Sequence, residues 1–363
     1  MNIRVVAIAA LFAVGVLAPG PARVLAQAAA PASFAARVAA LSEPSGYFDT
    51  DNLISNERSY LQVLPDLDKR GVHGGAYLGV GPDQNFSYIG AIRPAIAFIV
   101  DVRRDNLLLH LLFKALFAQS RTRIEYLAQL TGRPVPGNLD AWRNAPVSRL
   151  VSYIDRTPAQ SSVEPLRKRL DETITGTGVS LSTEDRRTIE RFHRRFIADG
   201  LSLQFQSTGR PIQAYNPTYR DLLTDRDASG REANYLASEE AFQFVKGLEA
   251  RDLVVPVTGD LSGPSAVVAI GRALAAKQER VSAFYVSNVE FYLFGAGTFQ
   301  RFAANLQHLP HTPNAVLIRS VFGRYASPSR PGDASMSRLQ GIDELLRDYG
   351  AGRVRQYGDI AYR

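Results

Sequence analysis

The stretch YLGVGPDQNFSYIGAIRPAIAFIVDVRRDN, residues 77–106, decides the fold. It enters a glycine turn at Gly79 and Gly81 and closes on a second apolar run, AIAFIVDV (95–102). A continuous apolar run of strand length suits the centre of a parallel sheet covered on both faces. Asp101 lies 22 positions after Gly79. Strand, glycine turn, helix, strand and terminal acid, in that order, open a nucleotide-binding unit, in which an acid about 20 residues past the glycines meets a ribose hydroxyl.

Working outward, SGYFDTDNLISNERSYLQVLPDL (45–67) begins in a turn and is expected to become a helix near Asn52, capped by Thr50 or Asp51. Asp51, Asn52, Asn56 and Glu57 form a polar cluster there. A capped, solvated helix face is the first expectation for it, and a pocket wall the second. NLLLHLLFKALFAQSRTRIEYLAQL (106–130) is helical, and its first half is apolar nearly all round, the pattern of a helix buried in a larger protein. Further helices are expected near 139–156, 163–174 and 183–199, the last capped by Ser182, with Asp185 three residues on and Gly200 as its stop. Residues 207–235 are rich in turn formers and read as a long surface loop.

After a helix at 238–250 the strand pattern returns. Strands are expected at 252–261 and 314–322, a helix at 265–278, and over 281–294 a strand that runs into a helix. A helix at about 337–348 and a short strand near 353–362 end the chain. Alternating strands and helices make an α/β fold: a doubly wound, mostly parallel Rossmann-like sheet, with a helical insertion after the second strand. The expected domains are a Rossmann-like unit from 71–106 plus 236–363, an insertion over 107–235, and a flexible lead-in and helix over 27–70.

At 363 residues the chain is long enough to bury a full core without disulfides, and it has no cysteine. That excludes thiolate metal sites and thiol nucleophiles. The five histidines (73, 110, 193, 308, 311) show no metal-binding helical pair, so no metal is expected. The formal charge of +7 falls to +5 without Arg4 and Arg23, and no basic stripe interleaved with aromatics suggests nucleic acid. Residues 1–26 have a basic start at Arg4, an apolar centre VVAIAALFAVGVLA (5–18), prolines at 19 and 21, and small residues in VLA (24–26). This is the pattern of a secretory signal peptide, which implies a periplasmic or secreted protein. The apolar run is shorter than the about 20 residues of a membrane span, so an uncleaved anchor is the alternative.

Gly79 and Gly81 let the backbone pass close to a ligand, and donors at the next helix start face a polar group. A third glycine is absent from GVGPDQN, where Asp83 would repel a pyrophosphate. A nucleoside with a positively charged or zwitterionic arm suits this turn better than a dinucleotide. Ligands in such sheets lie outside the carboxyl ends of the strands where strand order switches. The expected pocket is therefore lined by Gly79 to Asn85, Asp101 to Arg103, Asp260, and Ser287 to Glu290.

YLGVGPDQNF, FIVDVRRDN, VVPVTGDL, FYVSNVEFYLF and AVLIRS resemble successive strand ends of class I S-adenosylmethionine-dependent methyltransferases. GYFDTDNLISNE, GVGPDQNFSYI, DVRRDNLLLHLLFKALF and YVSNVEFYLF are similar, over most of the chain, to a family of uncharacterised bacterial proteins with such a domain. The resemblance implies S-adenosylmethionine as cofactor. Gly79 and Gly81 then match its turn, Asp101 its ribose acid and Asp260 the residue beside adenine. Ser287 and Asn288 match the fourth strand end, where catalytic groups sit. Tyr77 occupies the usual acidic position, and Asp83 that of the third glycine.

Each residue also has a plainer reading. The glycines serve a tight turn, Asp101 caps a helix or pairs within DVRRD, and Asp260 caps its own turn. Asn288 and Glu290 are the catalytic candidates, Glu290 as a proton acceptor, while Ser287 and Asn288 also suit a helix cap. Asp83, Asn85 and Arg103 complete the cofactor-binding set. Two functions stay open: methyl transfer to an unknown acceptor, or small-ligand or partner binding on a degenerate scaffold, with 107–235 as a protein-binding surface. Mass spectrometry of the exported protein is expected to find its first residue at or near Gln27; an intact Met1 would overturn cleavage.

Overall fold

The computed structural model of the protein describes residues 32–362 apart from 329 and 331. The expected signal peptide lies outside the described residues. The described residues begin with helix α1 (Phe34–Leu41), an irregular strap, and helix α2 (Leu64–Lys69). Strand β1 (Ala76–Gly79), α3 (Gln84–Ile92), β2 (Ile96–Asp101) and α4 (Arg104–Gln119) follow. A run of helices comes next: α5 (Arg123–Leu130), α6 (Asp140–Arg143), α7 (Val147–Arg156), α8 (Glu164–Gly176), α9 (Thr183–Asp199), α10 (Tyr219–Thr224) and α11 (Glu239–Ala250). The chain then alternates through β3 (Val254–Thr258), α12 (Ala266–Ala276), β4 (Val281–Ser287), α13 (Val289–Gly295), α14 (Phe299–Gln307) and β5 (His311–Phe322). It finishes with β6 (Ser335–Gly341), α15 (Ile342–Gly350) and α16 (Gly358–Ala361).

The strands form one six-stranded sheet in the order β3-β2-β1-β4-β5-β6. Five run parallel, and β6 pairs antiparallel with β5. The fold is α/β and compatible with a Rossmann-like arrangement. β1 and β3 are buried along their whole length, so apolar residues run on without alternating, up to Thr258 at the end of β3. Pro256 is tolerated because β3 is an edge strand with no second neighbour needing its N–H. Strand order reverses between β1 and β4, which leaves the carboxyl ends of those two strands diverging.

Helix α4 packs on β3 and β2 and also against α8, α9 and α11, which explains the leucines and phenylalanines around its circumference. α9 carries the expected capping box between Ser182 and Asp185, and Gly200 ends it at φ +52°. Among the described residues no helix is long and apolar enough to cross a membrane.

Three expectations need correction. No helix starts at Asn52: residues 45–57 are irregular, and a 3₁₀ turn at Arg58–Leu61 precedes α2. Residues 207–235 are not wholly a surface loop, because Tyr219, Leu222, Leu223 and Tyr235 are buried around α10. The last strand is β6, not 353–362. Residues 335–341 pair edge to edge with β5, and the helix waits until Ile342.

The strap over 43–57 crosses the carboxyl ends of the strands. The Glu43 N–H donates to the Thr258 carbonyl (2.7 Å), and the Gly46 N–H to that of Val102 (2.8 Å). Arg103 Nη1 reaches the Thr50 carbonyl at 2.8 Å. Helix α12 makes no cap bond from its own Ser265. Glu43 supplies it, accepting from the N–H groups of Ser265 and Ala266 (both 2.6 Å) and from that of Asp260 (3.2 Å). Burial raises the Glu43 pKa, but those bonds outweigh it and hold the group below its ordinary value. Glu43→Ala is expected to cost about 1–2 kcal/mol in urea unfolding, the usual loss for a helix cap; an unchanged midpoint would mean that water serves α12 equally well.

Candidate functional site

The strand-order reversal opens into a crevice of about 930 Å³. Its floor includes Gly81 and Gln84 after β1, Asp101 and Arg103 after β2, Asp260 after β3, and Ser287 and Asn288 after β4. The glycine turn and the acid ending β2 therefore meet across one space with the ends of β3 and β4.

Within the turn the two glycines have different reasons. A Cβ on Gly79 would lie 1.9 Å from Asn85 Oδ1 and 2.7 Å from the Tyr77 hydroxyl, so Gly79 makes room for protein packing. Gly81 adopts φ +80°, lines the crevice, and has its carbonyl 2.9 Å from His110 Nε2. His110 is buried, and burial lowers its pKa to about 4, so the ring is neutral and its Nε2–H donates to that carbonyl.

Several expected site residues face elsewhere. Asn85 donates to the carbonyls of Val80 (2.9 Å), Gly81 (3.2 Å) and Pro82 (2.7 Å), and accepts from the Tyr77 hydroxyl (2.8 Å). It staples the turn from behind. Asp83 points into the core, where the hydroxyls of Tyr219 (2.8 Å) and Tyr235 (3.1 Å) donate to it. It therefore sets up no repulsion towards a ligand. Glu290 pairs with Arg319 at 2.6 and 3.0 Å, both side chains buried below the crevice floor, and is not positioned as a proton acceptor.

Asp101 does line the crevice, yet Arg103 holds both of its carboxylate oxygens. Nε and the backbone N–H of Arg103 reach Oδ1 at 3.2 and 2.9 Å, and Nη2 reaches Oδ2 at 3.2 Å. The local ion-pair reading of DVRRD is the observed one. Asp260 Oδ1 accepts from the N–H and hydroxyl of Ser262 at 2.8 and 3.0 Å, capping its own turn. Ser287 keeps φ at +52°, an unusual conformation for a residue with a side chain, which turns its hydroxyl at the end of β4. Neither Asn288 nor Ser287 bonds its side chain to the start of α13, so the cap reading of SNVE does not hold.

The residue that organises the floor is Glu57, on the strap. It is 1% exposed instead of standing on a solvated helix face. Tyr285 donates to Oε2 at 2.5 Å, Ser320 donates to the same oxygen, and Ser287 donates to Oε1. Burial pushes its pKa up, opposed by the hydroxyls of Ser287, Ser320 and Tyr285. Among the described residues no lysine, arginine or histidine forms an ion pair with it. In the sequence, LISNERSY offered only a polar cluster. The partners of Glu57 are more than 200 positions away, and no local pattern links them.

Aromatic rings surround the mouth. Phe48 of the strap meets Tyr292 edge to face at 4.9 Å, and Phe291 meets Tyr357 at 5.3 Å. Tyr47, at 79% exposure, and Tyr215 stand open to solvent on the same rim. Such a site has an apolar, ring-lined entrance above a polar floor.

Fold and site together define an α/β protein with a ligand-sized crevice at its strand-order reversal. The chain belongs to the family described as "Domain of unknown function (DUF7790)", matched over residues 52–135 and 197–347. Those segments contain Glu57, Gly81, Asp101, Asp260 and Ser287, while residues 136–196 fall outside them. No curated protein matches the sequence.

Burial raises Asp83 to about 6, opposed by the two tyrosine hydroxyls. The folded chain thus holds a proton that the unfolded chain has released between pH of about 4 and 6, so stability rises as pH falls through that window. Asp83→Asn is expected to stabilise the protein at pH 8 by about 2–3 kcal/mol and to leave it nearly unchanged at pH 4. Urea unfolding at both values measures this, and equal effects at the two would contradict it.

Proposed function

We propose that this protein binds a small organic ligand in the crevice between the carboxyl ends of β1 and β4, on a methyltransferase-like Rossmann scaffold, outside the cytoplasm. The observation that carries the reading is the crevice itself. Its volume of about 930 Å³ lies within the range of small-molecule sites, with aromatic walls and few polar groups converging on the floor. The positive φ of Ser287 adds local strain at the point where a ligand would rest.

S-adenosylmethionine is the cofactor that the scaffold suggests, and the residues present fit it poorly. Both oxygens of the would-be ribose acid, Asp101, are held by Arg103. Asp260 caps its own turn, and Asn85 fills the space beside Gly79. We derive no methyl-transfer step. Strand order and the Gly81 turn favour a methyltransferase as the second reading.

Calorimetric titration separates the two. The mature protein is expected to give no heat with S-adenosylmethionine or S-adenosylhomocysteine. Micromolar binding, about 8 kcal/mol, that disappears in Asp101→Ala would restore the methyltransferase reading, since the loss would assign the contact to that carboxylate.

A further inference from the structure

The protons on the crevice floor can be followed one by one. A tyrosine or serine hydroxyl has a single proton, and an ionised carboxylate has none. Tyr285 commits its proton to Glu57 at 2.5 Å, and so can only accept from Gln84 Nε2 at 3.4 Å. That fixes the Gln84 amide with its NH₂ towards Tyr285 and its carbonyl oxygen the other way. Gln84 Oε1 is buried without a partner, on a side chain that is 5% exposed and lines the crevice. A buried acceptor left unmet costs about 1–3 kcal/mol, so a ligand donor placed there is favoured.

Ser287 likewise commits its proton to Glu57, which leaves its Oγ an acceptor on the crevice side. Asn288 Oδ1, another acceptor, lies 3.4 Å away. The Ser287 hydroxyl also points at Asn288 Oδ1, but at this longer distance, so a ligand donor that bridges the two oxygens gives each a closer partner. The floor thus offers acceptors from three side chains above Glu57, whose charged form burial disfavours and a cation seated there would favour.

The other charges around the crevice leave that excess standing. Asp101 pairs with Arg103, and Asp49 with Arg210. Asp260 adds a second carboxylate near the end of β3. Arg324 stays at the rim, where its guanidinium lies 4.9 Å from the Tyr325 ring and bonds that hydroxyl. Aromatic faces favour a cation that passes between them.

We infer that the crevice takes the protonated amino group of a small amine, seated on Gln84, Ser287 and Asn288 above Glu57, with its apolar part against the aromatic rim. An ammonium carries three donors and no acceptor, which matches this floor; a carboxylate or phosphate would meet acceptors only. The inference rests on the crevice being a ligand site and specifies the ligand's charge.

Three probes that share a phenylethyl group test it by calorimetry at pH 7.5: 2-phenylethylammonium, 2-phenylethanol and 3-phenylpropionate. The ammonium is expected to bind at least about tenfold more tightly than the alcohol, and the carboxylate not at all. Glu57→Gln, and independently Gln84→Leu, should weaken the ammonium about tenfold while moving the alcohol by less than about twofold. Gln84→Leu keeps the question open to refutation if the Glu57 variant fails to fold. Equal binding of all three probes, or an ammonium affinity indifferent to Gln84→Leu, overturns the inference and leaves the crevice reading intact. Absence of binding by every probe overturns both.

Discussion

A carboxylate buried among hydroxyls holds the functional end of this molecule together. Removing Glu57 from water is costly, and three hydroxyl donors from β4 and β5 offset only part of the cost, so its pKa stays above the ordinary carboxylate value. The same contacts fasten the strap to the two strands that diverge from β1. One group therefore closes the chain over the crevice and sets the direction in which the hydroxyls of Tyr285 and Ser287 point.

The strap gives the strand ends a second use. In an open parallel sheet they present backbone groups and loop side chains to whatever fills the crevice. Here Glu43 takes the start of α12, while Thr50 and Asp51 take the guanidinium of Arg103. Groups that would otherwise contact a nucleoside serve the protein's own chain. What remains open lies nearer β4, beside Gln84, Ser287 and Asn288.

The glycine turn divides in the same way. Gly79 is needed because Asn85 and Tyr77 fill the space behind it, and Gly81 because the backbone there takes positive φ beside the crevice. Asn85 then binds three successive carbonyls, so the turn is rigid without a ligand. Asp83 packs into a cluster of tyrosines from α5, α10 and the segment after it. A turn of dinucleotide-binding appearance is here largely a packing device.

Much of this was legible in the residues alone. The apolar runs at 95–102 and 252–261 contain β2 and β3 because only a covered sheet hides such runs, and Ser182 with Asp185 caps α9 through purely local bonds. The meeting of Gly81, Asp101, Asp260 and Ser287 also followed, since parallel strands bring their carboxyl ends to one edge. Strand β6 and the buried half of 207–235 escaped because edge pairing and docking against a preformed core leave little local pattern. Glu57 escaped for a related reason: a lone acid in a polar run looks solvated until β4 and β5 surround it. Local chemistry determined the elements and their order, whereas long-range packing decided which side chains face the crevice and which are already satisfied by their own protein.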